Sequence, residues 1–146
     1  MIETWIIPCN TKFFDIANHF ISSDEVVWRN YFTIKTGDLV YIYIGGTVRQ
    51  LKYRCTVLED KVSDDVVAQN SYTVPEKKVN NYFSKKEKYM RIKLDFTFPN
   101  GVLTYDELKS VGLGQVQLQA RPGRKVAQYI NQKAEKLINQ SNGGDE

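Results

Sequence analysis

The side chains in this sequence best suited to chemistry are aromatic rings and carboxamides, rather than acids, bases or thiols. An aromatic face stacks a nucleobase for about 1–3 kcal/mol. A carboxamide donates and accepts at once, so it can read the edge of a base. Trp28 is followed directly by Arg29 and Asn30, a polar flank that suits a pocket wall. Trp5 sits inside an apolar run, where it is either a wall or a core anchor. Tyr41 and Tyr43 share one face of the most apolar stretch, with Tyr43 nearer its end. Asn10 is the candidate edge reader; its other reading is a helix N-cap, a role asparagine favours. Trp28, Asn10, Tyr43, Trp5 and Tyr41 are therefore the candidate pocket residues.

Recognisable catalytic sets do not occur in the sequence. The single histidine, His19, has no cysteine or serine motif beside it. Cys9 and Cys55 form no CxxC pair and lie in apolar runs, as buried thiols of a reducing cytoplasm do. No Walker loop, GxSxG or HExxH is found. Asp95 is the sole carboxylate of its strand, and Gly45-Gly46 lacks the lysine and helix of a phosphate cradle. We expect no catalytic residue, no metal ligand and no cofactor.

The formal charge of +3 permits a polyanionic partner without demanding one. Its cations are grouped. Lys52 and Arg54 share a strand face, while Lys85 and Lys86 belong to a lysine-rich stretch with Tyr82 and Phe83. Arg121, Arg124 and Lys125 surround an expected helix N-terminus, where free N–H groups also favour phosphate. Such contacts position a nucleic acid without reading its sequence. A solvated surface is the alternative for each group.

These residues need elements to hold them. Thr4–Cys9 predicts a strand, and residues 12–22 a helix burying Phe13, Ile16, Ala17 and Phe20. Thr36-Gly37-Asp38 predicts a turn, Leu39–Ile44 a strand rich in β-branched residues. In residues 51–58, alternation places Leu51, Tyr53, Cys55 and Val57 on one face; in residues 89–98 it groups Met90, Ile92, Leu94, Phe96 and Phe98. Residues 59–88 read as loop with at most a short strand or helical turn. Thr104 and Glu107 have capping-box spacing for a short helix. Residues 115–120 suggest a weak last strand, and a terminal helix runs from about residue 122 to 140. The pattern is an α+β fold, a small curled sheet flanked by helices. One domain spans residues 1–140, and residues 141–146 form a polar linker.

The order of these pieces resembles the EVE domain, a PUA-like barrel related to YTH and ASCH domains. The resemblance rests on Trp5-Ile-Ile-Pro-Cys-Asn10 before the first helix, on Val26-Val27-Trp28, and on Gly37-Asp-Leu-Val-Tyr-Ile-Tyr43. It continues through Tyr89–Leu94, Glu107–Lys109, Gly112-Leu113 and Val126–Ile130, so it covers about residues 3–131. Residues 115–122 depart from the family's Gly- and Pro-rich closing segment.

The resemblance implies a PUA-like barrel that flips a modified base into an aromatic cage, with Trp28 as its tryptophan. DNA carrying a methylated or hydroxymethylated base such as 5-methylcytosine is the implied ligand. The implied context is a modification-dependent restriction or defence system, with a nuclease or NTPase partner module fused or encoded nearby. A YTH-like reader of modified RNA, or a protein-interaction module using the tyrosine-rich strand, are the alternatives. No apolar run is long enough to span a bilayer, and the first residues do not form a signal peptide, so a cytoplasmic protein without membrane contact is expected.

Overall fold

The β-branched and aromatic run Leu39–Ile44 forms an inner strand of the sheet. In the computed structural model, which describes residues 2–63 and 88–143, this run is β3. Around it lie β1 (Thr4–Cys9), β2 (Glu25–Arg29), β4 (Gln50–Glu59) and β5 (Tyr89–Thr97). The described residues also form three helices: α1 (Ile16–Ser22), α2 (Tyr105–Ser110) and α3 (Arg124–Gly143). The sheet order is β1-β3-β4-β5-β2. Among the described strands only the β1–β3 pair is parallel. A parallel neighbour needs a crossover, which here carries α1 and β2. The result is the expected α+β class, a curled five-stranded half-barrel with helices.

Two cores lie on opposite faces of this sheet. Trp5, Ile7, Val40, Ile42, Cys55 and Ile92 pack on the α1 face. Ile6, Tyr41, Phe98, Leu108, Ile130 and Ala134 pack on the α3 face. Strict alternation places Leu51 with Tyr53, and Phe96 and Phe98 with Ile92. The structure corrects both groupings. Ile42 pairs with Tyr53 but Tyr43 pairs with Leu51, so Lys52 is an extra residue. Arg54 pairs with Phe96 but Cys55 with Leu94, so Asp95 is a second extra residue. A bulge inverts the side-chain parity of everything beyond it. Leu51, Phe96 and Phe98 therefore belong to the α3 core.

Helix positions differ from expectation for local reasons. Asp15 caps α1 by accepting from Asn18 N at 3.2 Å, so the helix starts at Ile16 rather than near Lys12. Phe13 falls before that start and is 83% exposed, and Ala17 faces solvent. The weak last strand is reduced to one antiparallel bridge, Ala120 to Ile6. At the other end, α3 continues through Ser141 to Gly143, residues expected to be linker. The expected strand or turn within residues 64–87, with Lys85 and Lys86, lies outside the described residues. No helix among the described residues is long and apolar enough to cross a membrane.

The Thr104–Glu107 cap forms as expected and does more than cap. Thr104 Oγ1 accepts from Glu107 N at 3.2 Å, and Glu107 Oε1 accepts from Leu103 N at 3.0 Å. Glu107 Oε2 also accepts from Tyr129 and Lys133, which clamps α2 to α3. Burial raises the Glu107 pKa, but the bonds from Lys133 and Tyr129 outweigh it and leave the carboxyl below its ordinary 4.5. A depressed carboxyl stabilises the fold above its unfolded pKa and loses that contribution as pH falls through the folded value. The stability gap between wild type and Glu107→Gln should therefore be present at pH 7. It should shrink as pH drops below about 4.5, as followed by urea denaturation across that range.

Candidate nucleic-acid interface

Asp38 follows Gly37, whose φ of +93° closes the turn that the Thr36-Gly37-Asp38 motif predicts. The turn buries the Asp38 carboxylate beside β1. Its Oδ2 accepts from Trp5 Nε1 at 2.9 Å and from Lys35 N at 2.9 Å, and its Oδ1 from Glu3 N at 3.0 Å. Hydrogen bonds to a charged acceptor contribute about 1.5–3 kcal/mol each. Trp5 is thereby fixed with only 4% of its surface exposed. Of its two expected roles the structure gives it the anchor: its ring has almost no open face.

What covers Trp5 is informative. Phe32 lies almost parallel to it, at 13° with centroids 6.3 Å apart. The Arg121 guanidinium sits 5.6 Å from the Trp5 ring centroid and pairs with Glu3 at 3.7 Å. Beside them, the Arg29 guanidinium lies 4.4 Å from the Tyr31 centroid. Tyr31 and Phe32 are 58% and 48% exposed. Gln119 joins the two groups. Its Nε2 donates to Arg29 O at 2.6 Å, and its Oε1 accepts from Tyr31 N at 3.0 Å. The next residue, Ala120, exchanges backbone hydrogen bonds with Ile6 at 2.9 and 3.0 Å. Residues 119–120 thus tie the end of β2 to β1, the opposite edge of the sheet.

The other four candidate pocket residues are distributed. Trp28 is half-buried on the α1 face and meets Phe14 edge-on, at 72° and 5.8 Å between centroids. Asn10 supplies the turn that places Phe14, since its carbonyl accepts from Phe13 N and Phe14 N. Its side-chain oxygen accepts from Lys12 N at 3.0 Å, so Asn10 closes a turn and Asp15 is the true helix cap. Tyr41 lies on the α3 face with no exposed surface. Its hydroxyl donates to Asn131 Oδ1 at 2.7 Å, and burial pushes its pKa up to about 12. This corrects its reading as a pocket wall: parity along β3 turns Tyr41 away from both tryptophans, into the helix layer.

Asn10 and Tyr43 do come together. With Pro8, Lys12, Gly45 and Gln117 they line an open pocket of about 520 Å³. It forms where the parallel strands β1 and β3 both end, at Cys9 and Ile44. Trp28, Trp5 and Tyr41 are not among its lining residues. Among the described residues the Asn10 side-chain NH2 has no acceptor, so it is open to a ligand. Gln117 Nε2 donates to Gln115 Oε1 at 3.0 Å, which leaves its own carbonyl to accept.

The expected cations also separate. Arg54 is turned to the α3 face and lies 3.6 Å from Asp95, so it is neutralised there rather than presented as a free contact. Lys52 donates to Asn100 Oδ1 at 2.8 Å. Arg121 and Arg124 line one surface pocket of about 680 Å³ with Glu3 and Pro122, and Lys125 is exposed beside them. Phe14, Phe32, Asp38, Gln117 and Gln119 were not singled out from the sequence. The one signal for the glutamines is their alternate spacing in Gln115-Val-Gln-Leu-Gln119.

Burial governs the remaining reactive groups. Cys9 is pushed up to about 11 and Cys55 higher, both by desolvation. The His19 Nε2 meets the Glu25 carbonyl at 2.6 Å. Among the described residues, no three His, Cys, Asp or Glu side chains are grouped to hold a metal.

No protein-family model matches the sequence, and no curated protein matches it. Solved structures do resemble it. An ASCH protein from Zymomonas mobilis aligns with a TM-score of 0.59 over 89% of this chain and 94% of its own, at 14% identity. A hypothetical protein from Leishmania major reaches 0.60 over 94% and 98%, at 21% identity. A Pseudomonas putida protein reaches 0.60 over 87% and 96%, at 14% identity. At these identities the likeness is one of fold, and the fold is that of the ASCH domain in the PUA-like class.

Two outcomes follow. Gln119→Ala should destabilise the chain by about 1–3 kcal/mol, because Arg29 O and Tyr31 N lose their partner; exposed Gln117→Ala should stay within about 0.5 kcal/mol. Urea denaturation separates the two. Both thiols should resist a polar alkylating reagent at pH 8 in the folded protein and react fully once unfolded, as read by mass spectrometry.

Proposed function

We propose that this chain is a non-catalytic nucleic-acid reader domain of EVE-like type that accepts one flipped, modified base. The observation that carries the reading is the pocket at the ends of β1 and β3, which Asn10, Gln117 and Tyr43 line together. Each amide keeps donor and acceptor capacity after its one internal bond, so the pair can read a base edge from two sides. Lys12 adds a cation at the same mouth. The ASCH-like fold and the arginine-over-aromatic pairs beside Gln119 support the same reading.

A base inside a duplex hides its edges, so it must leave the stack to be read. A methyl group adds only about 0.8 kcal/mol when it displaces water from an apolar wall. The amides must therefore fix the base edge for the modification to be discriminated. A methylated or hydroxymethylated DNA base is the proposed ligand. The proposed setting is a restriction or defence system, with a nuclease or NTPase module supplying the chemistry. No step is assigned to this chain: its thiols are protonated at neutral pH and His19 is engaged with a backbone carbonyl.

The test is a binding titration against DNA and RNA oligonucleotides, unmodified or carrying 5-methylcytosine, 5-hydroxymethylcytosine or N6-methyladenine. Wild type should prefer one modified probe, and binding should weaken log-linearly with salt. Asn10→Ala should cut that preference by about tenfold. It should leave the fold intact, since Asn10 is exposed. Equal affinity for every modified and unmodified pair would sink the reading. Preference for a modified RNA would move it to an RNA reader.

A further inference from the structure

Tyr31 and Phe32 are large aromatic side chains left exposed, at 58% and 48%. They are consecutive in the chain, the Tyr31 N–H donates to Gln119 Oε1, and Phe32 lies nearly parallel to Trp5. Two guanidiniums border them: Arg29 over Tyr31, and Arg121 over Trp5. The Arg121 side chain is 59% exposed although Glu3 lies 3.7 Å away, unlike Arg54, whose side chain is 19% exposed. Neither ring lines the Asn10–Tyr43 pocket. Arginine beside exposed rings gives the patch the charge that a polyanion requires and an apolar peptide does not.

We propose that Phe32 and Tyr31 form a stacking platform for unpaired nucleotides flanking the base that is read, with Arg29 and Arg121 facing the phosphates. This rests on the nucleic-acid reading above and names its ligand class as single-stranded. The platform is rigid for a structural reason. Trp5 is held by Asp38, Phe32 lies nearly parallel on Trp5, and a base on the outer face of Phe32 lengthens an existing stack. Little order is lost in making such a contact. A duplex cannot use it, because its bases are already stacked on each other.

The experiment compares oligonucleotides of about 12 nucleotides, single-stranded or in duplex, modified or unmodified, against wild type, Phe32→Ala, Phe32→Trp, Tyr31→Ala and Arg121→Gln. The expected result is tighter binding of single strands. Phe32→Ala and Tyr31→Ala should each lose about tenfold, equally for modified and unmodified strands, while Phe32→Trp keeps the affinity. Arg121→Gln should reduce the slope of log affinity against log salt by about one. Single-strand affinity unchanged in Phe32→Ala and Tyr31→Ala overturns the platform, even if a modified base is still preferred. A loss in those variants without any modified-base preference supports the platform and overturns the reader. Equal binding of duplex and single strand, or no binding to any probe, overturns the platform as well.

Discussion

An open sheet has two edges, and each carries backbone groups without strand partners. Here the edges are β1 and β2, and one short segment manages both. Gln119 occupies the carbonyl of Arg29 and the amide of Tyr31, while Ala120 pairs with Ile6. At the far end of β2, His19 and Ser23 engage the Glu25 carbonyl. That closure sets Tyr31 beside residues 119–121, while Asn30 holds the Tyr31–Phe32 turn itself by accepting from Phe32 N and donating to Ile34 O. A buried amide suits the task because it donates and accepts in one plane.

A second constraint is that one sheet must serve two cores. β1 and β3 are apolar on both faces, but strict alternation would leave β4 and β5 with one apolar set for one face. The bulges at Lys52 and Asp95 let β4 and β5 change faces part-way. Leu51 and Phe98 can then support α2 and α3, while Tyr53, Cys55 and Ile92 support α1. The helix layer is fastened by polar contacts as well. Asn131 links the Tyr41 hydroxyl to Thr4, and Glu107 gathers Tyr129 and Lys133.

The functional features gather where the sheet is irregular. The parallel strands β1 and β3 end together and open a pocket past Cys9 and Ile44. The exposed rings and arginines collect at the Gln119 closure. Both places combine backbone fixed by hydrogen bonds with exposed polar or aromatic side chains. The buried Trp5 and Tyr41 do a different job: their polar tips are consumed by Asp38 and Asn131.

Strand identity was legible from composition, because β-branched and aromatic residues crowd β1, β3, β4 and β5 and nothing in those runs favours a helix. The capping box and the Thr36-Gly37-Asp38 turn were legible too, since both depend on residues adjacent in sequence. Asn10 and Tyr43 were singled out from the sequence and share a pocket, but Trp28, Trp5 and Tyr41 do not join them. Which face a ring occupies depends on parity, and two bulges alter parity without any local mark in the sequence. Arg54 reads as a free cation until Asp95, 41 residues later, is folded against it. Gln119 has no meaning until the end of β2, 90 residues earlier, lies within hydrogen-bond distance. The sequence alone determined which segments become strands and caps, because those preferences are local. The tertiary structure decided which polar groups are spent on the fold and which stay available, because that depends on partners brought together only by the closed sheet.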